Sequence, residues 1–259
     1  MSFSLPNRMI SMSTAEEEAC REIVDALDDM DRYAKRFYYA VELYNAGVAM
    51  AAHIERDLRE KLTDLDQELS CLDQGKYEDI SSYFVEFSKI QDNKNNIRQS
   101  LNPEIEKFRQ WQHIAGREGA MTIYHFGITV DAFNKRLGRC PILRDAADRA
   151  KLDEANKLFR DGFKYNERIR HAVGHEAELL KTQNQRKKNY VTNGYDDGKH
   201  IKVEAGATFF VSDSFIDNRY TTTLLGDVHN YECSHNTTEK LKYVLRTFAS
   251  AITAEYRGR

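Results

Sequence analysis

Arg170-His171-Ala172-Val173-Gly174-His175 places a permanent cation and two imidazoles within about a turn and a half of helix. Arg170 and His175 lie five residues apart, about 140° around a helix. They border one groove if a second helix packs across them. A guanidinium is a planar donor fork that suits phosphate. An imidazole, with a reference pKa of about 6.5, passes protons in both directions near neutrality. Together they suit cleavage of an RNA phosphodiester. His175 would deprotonate the 2′-hydroxyl or protonate the leaving 5′-oxygen, and Arg170 would hold the charge developing on phosphate. Neither a metal nor another cofactor is required for that chemistry.

A zinc reading is weaker. His171 and His175 share a helix face at i, i+4, but a metalloprotease helix needs Glu directly after the first His, and Ala172 stands there. Glu176 and Glu178 come too late in the pattern. His229, Cys233 and His235 lack a second ligand pair nearby, and the two histidines are expected to be surface or half-buried. No P-loop, GxGxxG or GxSxG occurs.

Arg170, the polar His171 and His175, followed by Glu176 in a long helix, resemble the RxxxxH signature of the HEPN superfamily. Tyr124-His125-Phe126 resembles part of the partner helix of that four-helix domain. The resemblance covers about residues 103–254. It implies a metal-independent endoribonuclease of the toxin–antitoxin, abortive-infection or RNA-guided defence kind. Two motifs would face each other across a homodimer cleft, and a protein antitoxin or defence partner could restrain the activity. His175 would carry the proton, Arg170 would contact the phosphate and His171 would orient them. Some members of that family are non-catalytic. The alternative function is therefore a helical binding or scaffold protein that dimerises through its helices.

Charge distribution adds substrate-binding candidates. The chain carries a net charge of −3, yet the window Lys157–Lys188 holds nine Lys/Arg against four Asp/Glu, so it is +5 and the remainder −8. Within that window Lys164, Arg168, Lys181, Arg186, Lys187 and Lys188 could track a phosphate backbone.

The elements that must position these residues are mostly helices. Three prolines and thirteen glycines in 259 residues leave room for long elements, and the aromatic content supplies core material. Residues 1–12 read as a disordered arm, and 13–101 as an N-terminal helical hairpin or coiled-coil region. Residues 102–259 read as an all-α, HEPN-like bundle with a small β insertion at about 200–233. Ser13-Thr14-Ala15-Glu16 is a capping box. Leu58, Leu62, Leu65, Leu69 and Leu72 form a heptad seam, and Gln74-Gly75 stops that helix. A turn is expected at Asn93–Asn96, and Asn102-Pro103 reads as a fresh helix start. Phe126, Val130, Phe133 and Leu137 mark a buried stripe. One helix is expected from Asp145 to about Leu180. Asn193-Gly194 and Asp197-Gly198 announce turns, and Asn236-Thr237-Thr238-Glu239 should cap the last helix. Gly174 inside the hexapeptide implies close approach of a second helix. The tyrosine-rich stretch 37–44 reads as a core or interface stripe.

Four scattered cysteines (Cys20, Cys71, Cys140, Cys233) without a CxxC pair read as reduced thiols. The opening residues lack the apolar run of a signal peptide, and no apolar stretch reaches the ~20 residues of a membrane span. A cytoplasmic protein with no membrane partner is expected.

Overall fold

The computed structural model describes residues 13–73, 76–77, 79–199 and 201–253. The expected N-terminal arm (1–12) and the stop at Gln74-Gly75 lie outside the described residues. The fold is all-α with a small antiparallel insertion before the last helix. In chain order the helices are α1 (Thr14–Ser70), α2 (Ile80–Arg139), α3 (Pro141–Ala146), α4 (Arg149–Gly162), α5 (Asn166–Gly174), α6 (Glu176–Leu179), α7 (Gln183–Lys188) and α8 (His235–Thr253). Between α7 and α8 lie β1 (Tyr195–Asp196), β2 (Lys202–Val203), β3 (Ser214–Ile216), β4 (Arg219–Leu224) and β5 (Asp227–Glu232).

The chain divides into two compact units. One is Glu42–Ile114; the other takes the chain up to Val41 and from Ala115 onward. In the smaller unit the second half of α1 pairs antiparallel with the first half of α2. Arg109 bridges to Glu55 at 2.7 Å, and Lys94 to Asp66 further along. Leu65 of the leucine seam is buried, and Leu58, Leu62, Leu69 and Leu72 are half-buried. α2 is unbroken across both expected interruptions. Lys94 is buried within it, where a turn was read at Asn93–Asn96, and Pro103 lies inside the helix instead of opening it. A mid-helix proline removes one backbone hydrogen bond. Here Pro103 and Gln99 face solvent, so water can satisfy the freed carbonyl while buried Ile105 and Phe108 hold the next turns in place.

In the larger unit the core is apolar and aromatic. Ser13 caps α1 as its sequence foretells: its hydroxyl accepts from Glu16 N–H and the Glu16 carboxylate accepts from Ser13 N–H. Ile23, Leu27, Met30 and Phe37 of α1 are fully buried, as are Phe126 and Phe133 of α2 and Leu241 and Phe248 of α8. Phe126 stacks on Phe159 of α4 at 5.6 Å, and Phe133 meets Phe248 at 4.9 Å. The Phe126–Leu137 stripe is thus the core seam that its spacing implies. α8 starts at His235, one position before the expected capping run, because Ser234 supplies the hydroxyl that accepts from Thr237 N–H.

β3, β4 and β5 form a meander in the order β3-β4-β5, with Tyr220 opposite Tyr231 and Thr222 opposite His229. Leu225-Gly226 closes the β4–β5 hairpin, both with positive φ, as a tight two-residue turn demands. The meander lies against α2 where α2 carries glycines. A Cβ at Gly116 would overlap the Tyr220 ring, and one at Gly119 would overlap Tyr231. The Tyr231 hydroxyl donates to the Gly116 carbonyl.

Cys20 of α1 and Cys140 pair as a disulfide with Cα atoms 6.2 Å apart, which corrects the reading of four free thiols. They are 120 residues apart in sequence, so no local spacing announces the pair. Cys71 is exposed, and Cys233 is buried with its thiol pushed up to about 12 by desolvation. Alkylation followed by intact mass measurement should therefore tag Cys71 alone in the native protein and add Cys233 on unfolding. Cys20 and Cys140 should follow only after reduction. Rapid native labelling of Cys233 would contradict its burial.

Candidate functional site

The expected single helix from Asp145 to Leu180 is four helices. Asp148 starts α4 by accepting from Lys151 N–H, Phe163–Tyr165 separates α4 from α5, and His175 separates α5 from α6. The last break falls inside the RxxxxH stretch. His175 has φ −118° and ψ 19°, yet its N–H still donates to the His171 carbonyl at 3.0 Å.

Arg117 of α2 holds this junction. One guanidinium nitrogen donates to the Val173 carbonyl at 3.2 Å, an acceptor exposed at the end of α5. The other reaches the Glu176 carboxylate at 2.8 Å, at the first position of α6, and the Asp213 carboxylate at 3.3 Å. Glu176 also accepts from the Ser212 hydroxyl at 2.7 Å, and Asp213 from the Tyr220 hydroxyl at 2.7 Å. Burial, then the Asp213 charge, raises the Tyr220 phenol far above its ordinary value, so it stays a donor. Asp213 has φ 49°, a left-handed conformation that Asp tolerates better than most residues. One arginine thereby fixes the end of α5, the start of α6 and the loop entering β3.

On this frame the His171 and His175 rings lie 4.8 Å apart. His175 Nδ1 faces the Glu178 carboxylate at 3.2 Å. A carboxylate only accepts, so Nδ1 carries the proton and Nε2 is left as the acceptor in the neutral ring. The His175 side chain is 37% exposed. Arg170 is half-buried, with its guanidinium 5.0 Å over the Tyr124 ring. Its Nε is buried without a hydrogen-bond partner, and the guanidinium makes no ion pair among the described residues. Arg36, Arg109, Arg117 and Arg136, by contrast, each meet a carboxylate. Gly174 is exposed, and a Cβ there would meet nothing within 4 Å, so within the chain it does not admit a second helix.

No family model, curated protein or solved structure matches this chain.

The six basic candidates are held by separate local structures. Arg168 on α5 bridges to Asp227 at 3.1 Å. Lys164, in the turn before α5, lies 5.3 Å over Tyr165 and lines a cavity of about 300 Å³ with Tyr165, Asn166, Asn230, Thr237 and Lys240. Lys181 is exposed in the link to α7. Arg186 donates to the Leu180 carbonyl at 2.9 Å. Lys187 and Lys188 are exposed in the last turn of α7, the end a helix dipole makes favourable for cations. That short helix opens with a Thr182/Gln185 capping box.

Sequence reasoning missed Arg117, Asp213, Ser212 and the partner role of Glu178. Glu178 was within reach, three residues after His175 at helical spacing. Arg117 and Asp213 carry no local signal. Among the described residues no group of three His, Cys, Asp or Glu side chains is placed to hold a metal ion, and no helix is long and apolar enough to cross a membrane. Within the stretch 37–44, Phe37, Val41 and Tyr44 are core, whereas Tyr38 and Tyr39 are exposed. His235 is at the surface, but His229 is 1% exposed, because alternation along β5 turns His229 and Tyr231 inward together. Both its ring nitrogens are buried without partners.

Two measurements follow. Replacing Arg117 by Ala strips Glu176, Asp213 and the Val173 carbonyl of a shared donor. With that side chain 42% exposed, solvent softens the loss to about 1–2 kcal/mol, read as a melting temperature lower by several degrees. An unchanged melting temperature would show that the junction stands without Arg117. His229 gives a pH dependence. Burial, helped by the Arg168 charge and opposed by the Asp227 charge and the Leu224 backbone, lowers its pKa below the usual histidine value. Above about 6.5, the unfolded value, the ring is neutral in both states and stability is undiminished. Below that the unfolded chain takes a proton that the folded one refuses, so stability falls until the folded pKa is passed. Urea midpoints between pH 7.5 and 5 should show this slope, and His229→Phe should flatten it.

Proposed function

We propose that this chain is a metal-independent endoribonuclease of the HEPN type, with Arg170 and His175 at its reacting centre. The observation that carries this reading is a half-buried guanidinium on α5 with no ion-pair partner among the described residues, and, at the break that ends that helix, a histidine whose Nδ1 is committed to a carboxylate. An unpaired, partly desolvated cation is costly to keep unless a ligand anion completes it. Phosphate is the anion that a guanidinium fork matches.

In this reading His175 Nε2 accepts the 2′-hydroxyl proton as the 2′-oxygen attacks phosphorus. The bond from phosphorus to the 5′-oxygen breaks, and the imidazolium returns the proton to that oxygen. The products are a 2′,3′-cyclic phosphate and a 5′-hydroxyl. Glu178 stabilises the imidazolium at Nδ1. Arg170 meets the charge on the phosphate oxygens, and His171 keeps the His175 ring in place by packing its own ring against it. A homodimer with facing hexapeptides is part of the proposal, and it gives the exposed Gly174 a role: room for the second copy's helix. A toxin or defence setting, with a protein that restrains the activity, belongs to the same reading. The rival is a non-catalytic helical scaffold, favoured by the exposed Ile80, Phe84 and Val85 on α2.

The purified protein should cut single-stranded RNA in the presence of EDTA, leaving 2′,3′-cyclic ends. His175→Ala should lose about 10²- to 10⁴-fold in rate, with an unchanged circular dichroism spectrum and melting temperature. Equal cleavage by the two proteins, or none by either, would overturn the assignment and leave the scaffold.

A further inference from the structure

Three helices of the larger unit contribute a row of three rings flanked by two guanidiniums, and it ends at Arg170. Arg32 of α1 lies 5.5 Å over the Tyr33 ring. Tyr33 stacks on His125 of α2 at 5.7 Å, with the planes 17° apart. His125 meets Tyr124 at 5.6 Å, and Tyr124 lies under the Arg170 guanidinium at 5.0 Å. From there the chain leads to His171 and His175. The spacing arises from helix geometry: Tyr33 and His125 meet across α1 and α2, and α5 crosses over Tyr124.

This row differs from the core aromatics around it. Phe126 and Phe133 are fully buried, whereas Tyr33, Tyr124 and His125 are half-buried and Arg32 is exposed. The hydroxyls of Tyr220 and Tyr231 are committed to Asp213 and to the Gly116 carbonyl. Neither the Tyr33 nor the Tyr124 hydroxyl makes a hydrogen bond among the described residues, although Arg32 pairs on its far side with Asp29 at 2.9 Å. Core packing does not need a row of half-open rings flanked by guanidiniums. A ligand with both flat apolar faces and anionic links needs rings and cations together, and an unpaired nucleic-acid strand is such a ligand.

We propose that Arg32, Tyr33, His125, Tyr124 and Arg170 form a stacking track for an unpaired RNA strand, delivering its phosphodiester to His175. The proposal rests on the ribonuclease reading for its endpoint, while the track itself is a binding surface. Bases extend this stack where solvent reaches the Tyr33, His125 and Tyr124 rings, and the two guanidiniums meet the flanking phosphates. Stacking accepts any base, so sequence preference is weak. A paired strand presents no free base faces, so duplexes are excluded. Stacking does not read the 2′-hydroxyl either. Single-stranded DNA therefore occupies the same track and inhibits cleavage without being cut.

Full-length His175→Ala protein, which cannot cut, is titrated into fluorescein-labelled ten-nucleotide oligo(U), oligo(dT) and a ten-base-pair RNA duplex, followed by fluorescence anisotropy. The two single strands should bind within a few-fold of each other and the duplex at least tenfold more weakly. Adding Tyr33→Ala or Tyr124→Ala should weaken single-strand binding about tenfold, while Tyr33→Phe and Tyr124→Phe, which keep the ring and its packing, should stay within about threefold. Tyr39→Ala, an exposed tyrosine of α1 outside the row, should have no effect. Melting temperatures separate lost binding from lost folding. Equal duplex binding, unimpaired binding by the two alanine variants, or no binding of any strand overturns the track. Loss of binding on removing Arg186, Lys187 and Lys188 with the tyrosine variants unaffected would place the strand on α7 and also overturn it. Single-strand binding by the track in a protein that never cuts RNA would instead retire the ribonuclease reading alone.

Discussion

The Arg117 guanidinium is the constraint on which the rest of the larger unit's site depends. It binds the Val173 carbonyl, the Glu176 carboxylate and the Asp213 carboxylate at once. A lysine in that place could supply charge but not a planar fork with separated donors. The consequence is local and mechanical. α5 ends at Gly174, and its carbonyl at Val173 accepts from Arg117. α6 must start at Glu176 because that side chain is held from two sides, by Arg117 and Ser212. His175 is what remains between them. Its departure from helical geometry is a product of neighbours on either side being pinned, and it sets the imidazole beside both His171 and Glu178.

The β insertion serves the same constraint. Asp213 and Ser212 reach Arg117 and Glu176 because the meander sits close on α2, and it sits close because Gly116 and Gly119 present bare backbone to Tyr220 and Tyr231. Glycine in a helix interior costs about 1 kcal/mol against alanine. Here that loss is offset by burying two tyrosine rings and by the Tyr231 bond to the Gly116 carbonyl. The Tyr220 hydroxyl then holds Asp213 in its left-handed conformation. The insertion is thus a brace for the α5–α6 junction, fastened to α2 at Gly116 and Gly119, which flank Arg117.

What the sequence disclosed follows the range of the interactions involved. The Ser13–Glu16 box, the Phe126–Leu137 stripe and the Gly194 and Gly198 turns depend on residues a few positions apart, and the structure has each of them. Pro103 and Asn93–Asn96 were over-read as boundaries because local preference speaks against helix there, while buried Ile90, Lys94, Ile105 and Phe108 speak for it over a longer span. The break at His175 was unreadable for the opposite reason. Nothing within the helix opposes continuation except Gly174, and the cause lies at Arg117 and in the 212–213 loop, 59 and 36 residues from Glu176. The Cys20–Cys140 pair is hidden in the same way. Arg170, His171 and His175 stand out by residue type and spacing alone, whereas Glu178, which lies against His175 Nδ1, completes no metal-ligand pattern and so does not stand out.

Arg170 can be weighed against the arginines around it. Arg36, Arg117 and Arg136 of the same unit are tied to carboxylates that position helices, and each has an evident structural reason to be arginine. Arg170 packs on Tyr124 and goes no further. A methionine or leucine would fill that contact without burying an unpartnered Nε. No carboxylate among the described residues lies within ion-pair distance of its guanidinium, and only Nε is closed off from solvent. Arg170 is thus set apart from these three by what surrounds it: they join two helices through a carboxylate, whereas it lies across one tyrosine ring with a buried donor unmet.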